Sequence, residues 1–461
     1  MKQMTLSNII KACHGTYHGP QERLSAAAEG VVIDSRKAEP GFVFIATKGE
    51  RVDGHSFVRQ VMEKGALCVV AQRALTQEDF GPDEPVCYIQ VADSFQALKD
   101  IAAFYRSQLS IPVIGITGSV GKTSTKEMIA GVLSAKYQVL KTEGNLNNEI
   151  GLPLTILSIR DFHEVAVVEM GISDFGEMSR LTAIARPDIC VITNIGQCHL
   201  ENLGTRDGIL KAKTEIFEGL SKDGYAVLNG ADDKLTTISQ VHGKKPHFFD
   251  SEDCYATDIV SRGLFGTDCL IHVQGMAIRA QIGVPGSHQV SNALAAVTVA
   301  ILLGMSKEEI ETGICSVRAI GGRNHIVQTG EYTVIDDCYN ANPVSMQAAL
   351  DLLGLALGRK VAVLGDMFEL GENSDALHRG VGEYAAGSGA DVLICIGKHA
   401  RLIHEGAEHA MAQSEKKKLS LYYFTDKASF LSQKDEILRG GDTILLKASH
   451  GMAFETLLEQ L

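Results

Sequence analysis

The sequence predicts an α/β protein of three domains, built on mainly parallel sheets covered by helices. Three observations carry this. The chain has 461 residues, more than one ordinary core; at ~150 residues per domain it divides into about three. Short β-branched apolar runs alternate with stretches of helical periodicity over most of its length, the pattern of βαβ units. The stretch Pro112 to Lys126 passes from an apolar run through Gly115, Gly118 and Gly121 into a helical pattern. That is the local arrangement in which backbone N–H groups and a helix N-terminus cradle a phosphate.

Residues 1–110 read as a small α/β unit, with strands at Val31–Ile33, Phe42–Ala46, Leu67–Ala71 and Val86–Val91 and helices at His55–Lys64 and Ser94–Gln108. Within it, Asp34 to Gly41 is a polar segment closed by Pro40-Gly41, and by itself it reads as a surface turn. Residues 111–316 alternate strands at 112–116, 137–141, 164–169, 189–195 and 225–229 with helices at 122–136, 174–185, 205–219, 287–303 and 306–316. Between 246 and 284 the pattern changes to short β segments, a small antiparallel patch. The Gly-rich segment Ala319–His325 reads as a linker into residues 317–461, where strands near 332–336, 360–365, 391–397, 420–424 and 442–448 predict a second doubly wound sheet.

Composition narrows the class. Hydrophobic residues make up 45% and charged ones 21%, as in globular proteins. A net charge of −13 argues against a nucleic-acid footprint, which needs a basic face. Ten cysteines lie scattered with no Cys-x-x-Cys pair, the usage of reduced thiols. Met1 to Gly15 lacks a basic region followed by an apolar run, and no apolar stretch reaches the ~18 residues of a span. These readings lead to the expectation of a cytoplasmic protein without membrane insertion.

The candidate chemistry gathers at predicted strand ends, where open α/β sheets bind ligands. In the first loop Gly118, Ser119 and Gly121 offer backbone N–H groups, Lys122 a point charge, and Thr123 and Ser124 hydroxyls. The strict phosphate-loop spacing wants a fifth-preceding glycine where Ile116 stands. Glu169 ends a strand beside this loop; it reads as a Mg²⁺ ligand, since that hard cation takes oxygen, or as a plain cap. His199 follows the next strand; imidazole is a poor Mg²⁺ ligand, so alone it reads as structural. Lys213 lies in a charged stretch that reads as a solvated helix face. Asn145, Asn147 and Asn148 crowd one glycine-bounded loop, suited to a polar ligand but also ordinary loop residues. Further on come Arg323 and Asp336-Asp-Cys-Tyr-Asn-Ala-Asn-Pro343, with more polar groups than a helix cap needs.

Together these strings resemble the Mur ligase family of peptidoglycan synthesis. The glycine spacing is the family's own, Gly115-x-Thr-Gly-x-x-Gly-Lys-Thr123. The resemblance extends over Asp34-Ser-Arg36, Asp53-Gly-His55, Gly144-Asn-Leu-Asn-Asn148, Glu169-Met-Gly171, Asn194-Ile-Gly-x-x-His199, Ala212-Lys213 and Asn292-Ala-Leu-Ala-Ala296. In the third domain it covers Gly322-Arg323, Tyr339-Asn-Ala-Asn-Pro343, Gly365-Asp-Met-x-Glu-Leu-Gly371 with His378, and Lys447-Ala-Ser449. The Tyr-Asn-Ala-Asn-Pro and Gly-Asp-Met-x-Glu-Leu-Gly strings point to the dipeptide-adding branch.

The resemblance implies a UDP-sugar domain (1–110), a central P-loop ATPase-like domain (111–316) and a C-terminal Rossmann-like domain (317–461). It implies ATP-driven joining of D-alanyl-D-alanine to UDP-N-acetylmuramoyl-tripeptide through an acyl phosphate, by a monomer. It implies catalytic Lys122, Glu169, His199 and Lys213, with Lys122 on the β,γ-phosphates. Thr123 and Glu169 would hold one Mg²⁺, and His199 and a carbamylated Lys213 a second. Gly118, Ser119, Gly121, Ser124, Asn292, Arg323 and Asp337 would contact ATP. Ser35, Arg36, Asn145, Asn147 and Asn148 would hold the UDP-sugar, and Asn340 and Asn342 the dipeptide. Val120, Cys338 and His450 depart from the family's usual Asn, Ser and Arg. A nucleotide-dependent switch without bond formation, or a ligase adding single amino acids, are the alternatives that these residues leave open.

Overall fold

The computed structural model describes residues 1–49, 52–318, 321–413 and 419–461. Ala319 and Ile320, which open the predicted linker, lie outside the described residues. The chain forms two compact units. One comprises Met1–Tyr255, His272–Met276 and Asn292–Gly313; the other comprises Ala256–Ile271, Ala277–Ser291 and Ile314–Leu461.

The first unit begins with strands β1 (Thr16–His18), β2 (Gly30–Val32), β3 (Phe42–Ile45), β4 (Cys68–Ala71) and β5 (Tyr88–Gln90), arranged β1-β5-β4-β3-β2. All pairs are parallel except the edge pair of β1 with β5. A second sheet of the same unit holds β6 (Val113–Thr117), β7 (Val139–Lys141), β8 (Val165–Glu169), β9 (Ile189–Ile192), β10 (Tyr225–Asn229) and β11 (His247–Phe249), in the order β11-β10-β9-β6-β8-β7. Every pairing in it is parallel. Strand β6 lies between β8 and β9 with its five residues buried, which is why it reads as an uninterrupted apolar run.

The expected boundary near residue 110 is not a gap in packing. In the helix Ser94–Ser107, Leu98, Ile101, Ala102 and Tyr105 share one apolar cluster with Val43 and Ile45 of the first sheet and with Leu152 and Ile156 near the second. Tyr105 Oη donates to the Ile159 carbonyl at 2.7 Å. The buried Arg106 guanidinium reaches the carbonyls of Ala185 and Arg186 and the carboxylate of Asp188 at 2.8–3.0 Å. The first two expected domains therefore share one unit.

Several predicted elements end elsewhere for local reasons. The strand expected at 189–195 stops at Ile192, because Thr193 and Asn194 turn their side chains to the glycine loop. The helix expected at 174–185 starts at Glu177: Gly176 adopts φ 74°, and Glu177 accepts the N–H groups of Ser173 and Asp174. The helix expected at 205–219 is α from Arg206 to Thr214 and tightens to a 3₁₀ turn from Glu215 to Gly219. The asparagine loop runs into a helix, Gly151–Leu157, where Asn148 accepts the N–H of Gly151 at 2.9 Å. The helix Leu6–Ala12 and strand β1 were not expected, and β11, within the stretch of short β segments expected from 246, joins the parallel sheet and not the antiparallel patch.

After β12 (Cys254–Ser261), β13 (Thr267–Val273) and β14 (Met276–Ile282) are joined by Gln274 and Gly275 alone, at φ 48° and 76°. A two-residue link with both φ positive makes an antiparallel hairpin, as expected for this patch.

In the second unit, β15 (His325–Gln328), β16 (Thr333–Asp336), β17 (Lys360–Gly365), β18 (Val392–Ile396), β19 (Ser420–Phe424) and β20 (Thr443–Lys447) run β15-β16-β20-β17-β18-β19. The last five are parallel, as the doubly wound reading requires, and β15 pairs antiparallel with β16. The expected linker thus ends in a strand. Its alternation was masked because His325–Gln328 is only partly covered. One face buries Leu350, Leu353, Val381 and Ile403; the other buries Phe430, Phe454 and Leu457. Insertion of β20 between β16 and β17 brings the ends of all three strands to one crevice. Among the described residues no helix is long and apolar enough to cross a membrane.

Candidate active site

The loop after β6 has the geometry of an anion cradle. Gly121 caps the helix Lys122–Leu133 at φ 82°, a left-handed conformation that favours glycine. A Cβ on Gly118 would stand 1.9 Å from Thr193 Oγ1, so only glycine fits there. The strand β9 side holds the loop: Thr193 Oγ1 and Asn194 Nδ2 donate to the Val120 carbonyl at 2.7 and 2.9 Å. Asn194 Oδ1 accepts the Val120 N–H at 3.0 Å, and Ser119 Oγ accepts the N–H of Gly196 at 2.9 Å. Lys122 Nζ folds back onto the Gly118 carbonyl at 2.9 Å.

Glu169, at the end of β8, is 3% exposed. Its Oε2 accepts the Thr123 hydroxyl and its Oε1 the Asn147 amide, both at 2.8 Å. Its own N–H donates to Thr142 Oγ1, while Lys126 Nζ donates to the Thr142 carbonyl at 2.6 Å. The carboxylate is thus aimed at the loop from three sides. A hydroxyl and a carboxylate fit a hard divalent cation. Mg²⁺ is usually held by one or two carboxylates, with phosphate and water oxygens completing its shell. Among the described residues no group of three His, Cys, Asp or Glu side chains forms a metal cage of its own.

Lys213 is not on a solvated face. Its side chain is 1% exposed and has no hydrogen-bond or ion-pair partner among the described residues. Burial pushes its pKa down to about 7, and the nearby Lys122 charge adds to the effect. His199 stands on the exposed turn before the helix Leu200–Leu203, at φ 53°.

Other expected residues have local partners. Asn292 Oδ1, expected to face adenine, accepts the buried Thr125 hydroxyl at 2.8 Å. Asn145 and Asn148 are exposed, while Asn147 is drawn to Glu169. Ser35 is buried in the 3₁₀ turn Ser35–Lys37, and its carbonyl accepts Lys64 Nζ at 2.8 Å. Arg36 forks onto Asp34 at 2.7–3.2 Å, which holds that carboxyl at about 2.

In the second unit, Asp337 Oδ2 accepts Lys447 Nζ at 2.6 Å, and the same ammonium reaches the Asn340 carbonyl at 3.0 Å. The Arg323 guanidinium stacks 4.1 Å from the Tyr339 ring centroid. Gly322 N–H donates to Asp336 Oδ2 at 2.6 Å. Asn340 Oδ1 accepts the Ala341 N–H, and Asn342 Oδ1 caps the helix Pro343–Gly354 through Ser345 N. Across the crevice, Phe368 N–H donates to Ser449 Oγ at 2.8 Å and Met367 N–H to the buried His378 Nε2 at 3.0 Å.

Sequence reasoning missed Thr142, Thr193, Lys126 and the pairing of Lys447 with Asp337. Only the last had a signal, since the Lys447-Ala-Ser string ends a predicted strand.

Comparison with known proteins agrees with this geometry. Residues 28–106 match the family described as "Mur ligase family, catalytic domain", 116–300 "Mur ligase middle domain" and 322–450 "Mur ligase, glutamate ligase domain". The UDP-N-acetylmuramoyl-tripeptide–D-alanyl-D-alanine ligase of Bacillus subtilis (strain 168) is 38% identical, covering 100% of this chain and 99% of its own. This chain belongs to the Mur ligase family.

The ligase of the same description from Escherichia coli (strain K12) is 33% identical, with 100% of this chain and 99% of that one covered. A crystal structure of MurF from Acinetobacter baumannii matches at a TM-score of 0.86 and 33% identity, covering 99% of this chain and 98% of its own. The MurF ligase from Thermotoga maritima in complex with ADP matches at 0.77 and 29% identity, over 94% and 96%. Within this Mur ligase, the glycine loop and Glu169 lie in the part that matches the middle domain, and Asp337 and Lys447 lie in the part that matches the glutamate ligase domain.

Proposed function

We propose that this chain joins D-alanyl-D-alanine to UDP-N-acetylmuramoyl-tripeptide with conversion of ATP to ADP and phosphate, a step of peptidoglycan precursor synthesis. The observation that carries the reading is Glu169, buried and aimed at the glycine loop by Thr123 and Asn147. It stands in a chain whose relatives of that activity align over its whole length.

Residues 1–110 take the UDP-sugar through Ser35 and Arg36, with Asn145, Asn147 and Asn148 of the central domain as further contacts; Asn147 also orients Glu169. Residues 111–316 take ATP. Gly118, Ser119, Gly121 and Ser124 surround its phosphates, Lys122 exchanges the Gly118 carbonyl for them, and Asn292 lies on the nucleotide side. Residues 317–461 supply Arg323 and Asp337 to the nucleotide and Asn340 and Asn342 to the dipeptide.

A carboxylate is a poor electrophile until one oxygen becomes a good leaving group. Phosphoryl transfer to the tripeptide's terminal carboxylate provides that, and the dipeptide amine then displaces phosphate. Such transfer needs positioning and charge neutralisation more than covalent help. Magnesium, as two ions, would supply part of that neutralisation when bound. Thr123 and Glu169 are the residues for one ion, His199 and Lys213 for the other. An ammonium cannot ligate a metal, so Lys213 serves only as its carbamate. A buried amine without an anionic partner, half neutral near pH 7, fits addition of CO₂. The reading implies a cytoplasmic monomer, in keeping with ten free thiols.

The test is phosphate release from purified protein given ATP, Mg²⁺, UDP-muramoyl-tripeptide and D-alanyl-D-alanine, with the product identified by mass. Release is expected only with all components present. Release at the same rate without the dipeptide overturns the reading.

A further inference from the structure

Thr117, the last residue of β6, carries a hydroxyl that the nucleotide loop does not use. It is fully buried, and Oγ1 has no hydrogen-bond partner among the described residues. A buried hydroxyl left unsatisfied is costly, and such groups in native proteins call for an explanation. Side chains alternate along a strand, so Thr117 shares a face of β6 with Val113 and Gly115. On that face a Cβ built on Gly115 would lie 2.9 Å from Met170 Sδ and 3.5 Å from Ile216 Cδ1. Beside Thr117 stand the buried apolar side chains of Ile192, its partner on β9, and Met170. Ile192 cannot accept its proton, and a thioether sulfur is only a weak acceptor.

Lys213 comes to the same place from above. The helix Arg206–Thr214 connects the parallel strands β9 and β10, so it runs antiparallel to them. Moving from Gly115 to Thr117 climbs about 6.6 Å along the strand. Moving from Ile216 back to Lys213 climbs roughly 5 Å along the helix on the same side. By these two rises Lys213 and Thr117 reach a similar level on that side of the sheet. Both residues are buried, and Thr117 Oγ1 has no hydrogen-bond partner among the described residues.

We propose that Thr117 is a positioning residue, whose hydroxyl donates to the carbamate of Lys213 and orients it toward the phosphate loop. This rests on the reading of Lys213 given above. In the modification, the neutral amine's lone pair adds to the carbon of dissolved CO₂ and one C=O π pair becomes a carboxylate oxygen. The proton displaced from nitrogen leaves to solvent. The new group adds an acceptor that the ammonium lacks, on the side where Thr117 is the unsatisfied donor. A hydrogen bond from a hydroxyl to a charged acceptor corresponds to about tenfold or more in occupancy.

The experiment compares wild type, Thr117→Val, Thr117→Ser and Lys213→Ala in ¹³C-bicarbonate, counting carbamate carbon by NMR at fixed pH. Thr117→Val is expected to need about tenfold more bicarbonate for half-occupancy, and Thr117→Ser to match wild type. Ligase activity of Thr117→Val should recover as bicarbonate is raised, whereas Lys213→Ala should not. Equal half-occupancy in wild type and Thr117→Val overturns the role of Thr117. A wild-type spectrum identical to that of Lys213→Ala overturns the carbamate itself, and so separates the two failures. If Thr117→Val does not fold, Thr117→Ala against Thr117→Ser asks the same question.

Discussion

Replacing Lys213 with methionine should stop catalysis and yet make the protein more stable. The side chain is 1% exposed, without a hydrogen bond or ion pair among the described residues, and its pKa falls from 10.5 to about 7. Burial is the main cause and Lys122 the second. The sign follows from proton binding. The unfolded chain keeps this proton up to about 10.5, whereas the folded one releases it above about 7. Unfolding between these values takes up a proton, so this lysine's contribution rises with pH across the window. Its deficit is complete below pH 7 and gone above about 10.5. At ~1.4 kcal/mol for each tenfold change, the deficit is on the order of 5 kcal/mol. Methionine fills a similar volume without the charge. In CO₂-free buffer at pH 7, Lys213→Met should therefore melt roughly 10 °C higher, at about 2 °C per kcal/mol for a unit of this size. The gap should narrow toward pH 10.5, and bicarbonate should raise the melting point of wild type alone. A variant melting at or below wild type at pH 7 would refute the reasoning, because it would mean that the ammonium has a partner.

Gly118→Ala would place a Cβ 1.9 Å from Thr193 Oγ1 and push the loop off its Thr193 anchor. A displacement of this kind costs about 10²-fold in kcat/KM, measurable by phosphate release. Lys447→Met would leave the Asp337 carboxylate without its cation, at a cost of about 3–5 kcal/mol; a lower melting temperature and lost ligase turnover are expected together. His378 is held neutral, its pKa lowered by burial, with Nε2 accepting the Met367 N–H and Nδ1 facing the Ser374 carbonyl. Its contribution is present above pH ~6.5 and lost as pH falls through the lower folded value. Melting temperature should drop below pH 6.5 in wild type, and this slope should flatten in His378→Gln.

Most of the fold was legible because β-branched runs and helical periodicity report burial directly. Strand β6 and its glycine loop could be read from residues 112–126 alone, since left-handed and close-packed positions demand glycine. Legibility failed where long-range packing decides. The sequence could not show that Tyr105 and Arg106, in the helix that closes the first expected domain, bond across to Ile159 and Ala185. Asn147 looked like one of three equivalent loop amides until Glu169 claimed it. Asn342, an expected ligand contact, also caps a helix through its side-chain oxygen.

By itself the sequence determined the class, the phosphate loop and the resemblance to one ligase family, because those depend on residue type and spacing within short segments. Tertiary structure alone decided which side chains are buried against which. Lys213 and Thr117 show the difference. In sequence one belongs to a charged helix and the other to an apolar strand, 96 positions apart by number. The tertiary structure buries both, leaving the Thr117 hydroxyl without a partner among the described residues and lowering the Lys213 pKa to about 7.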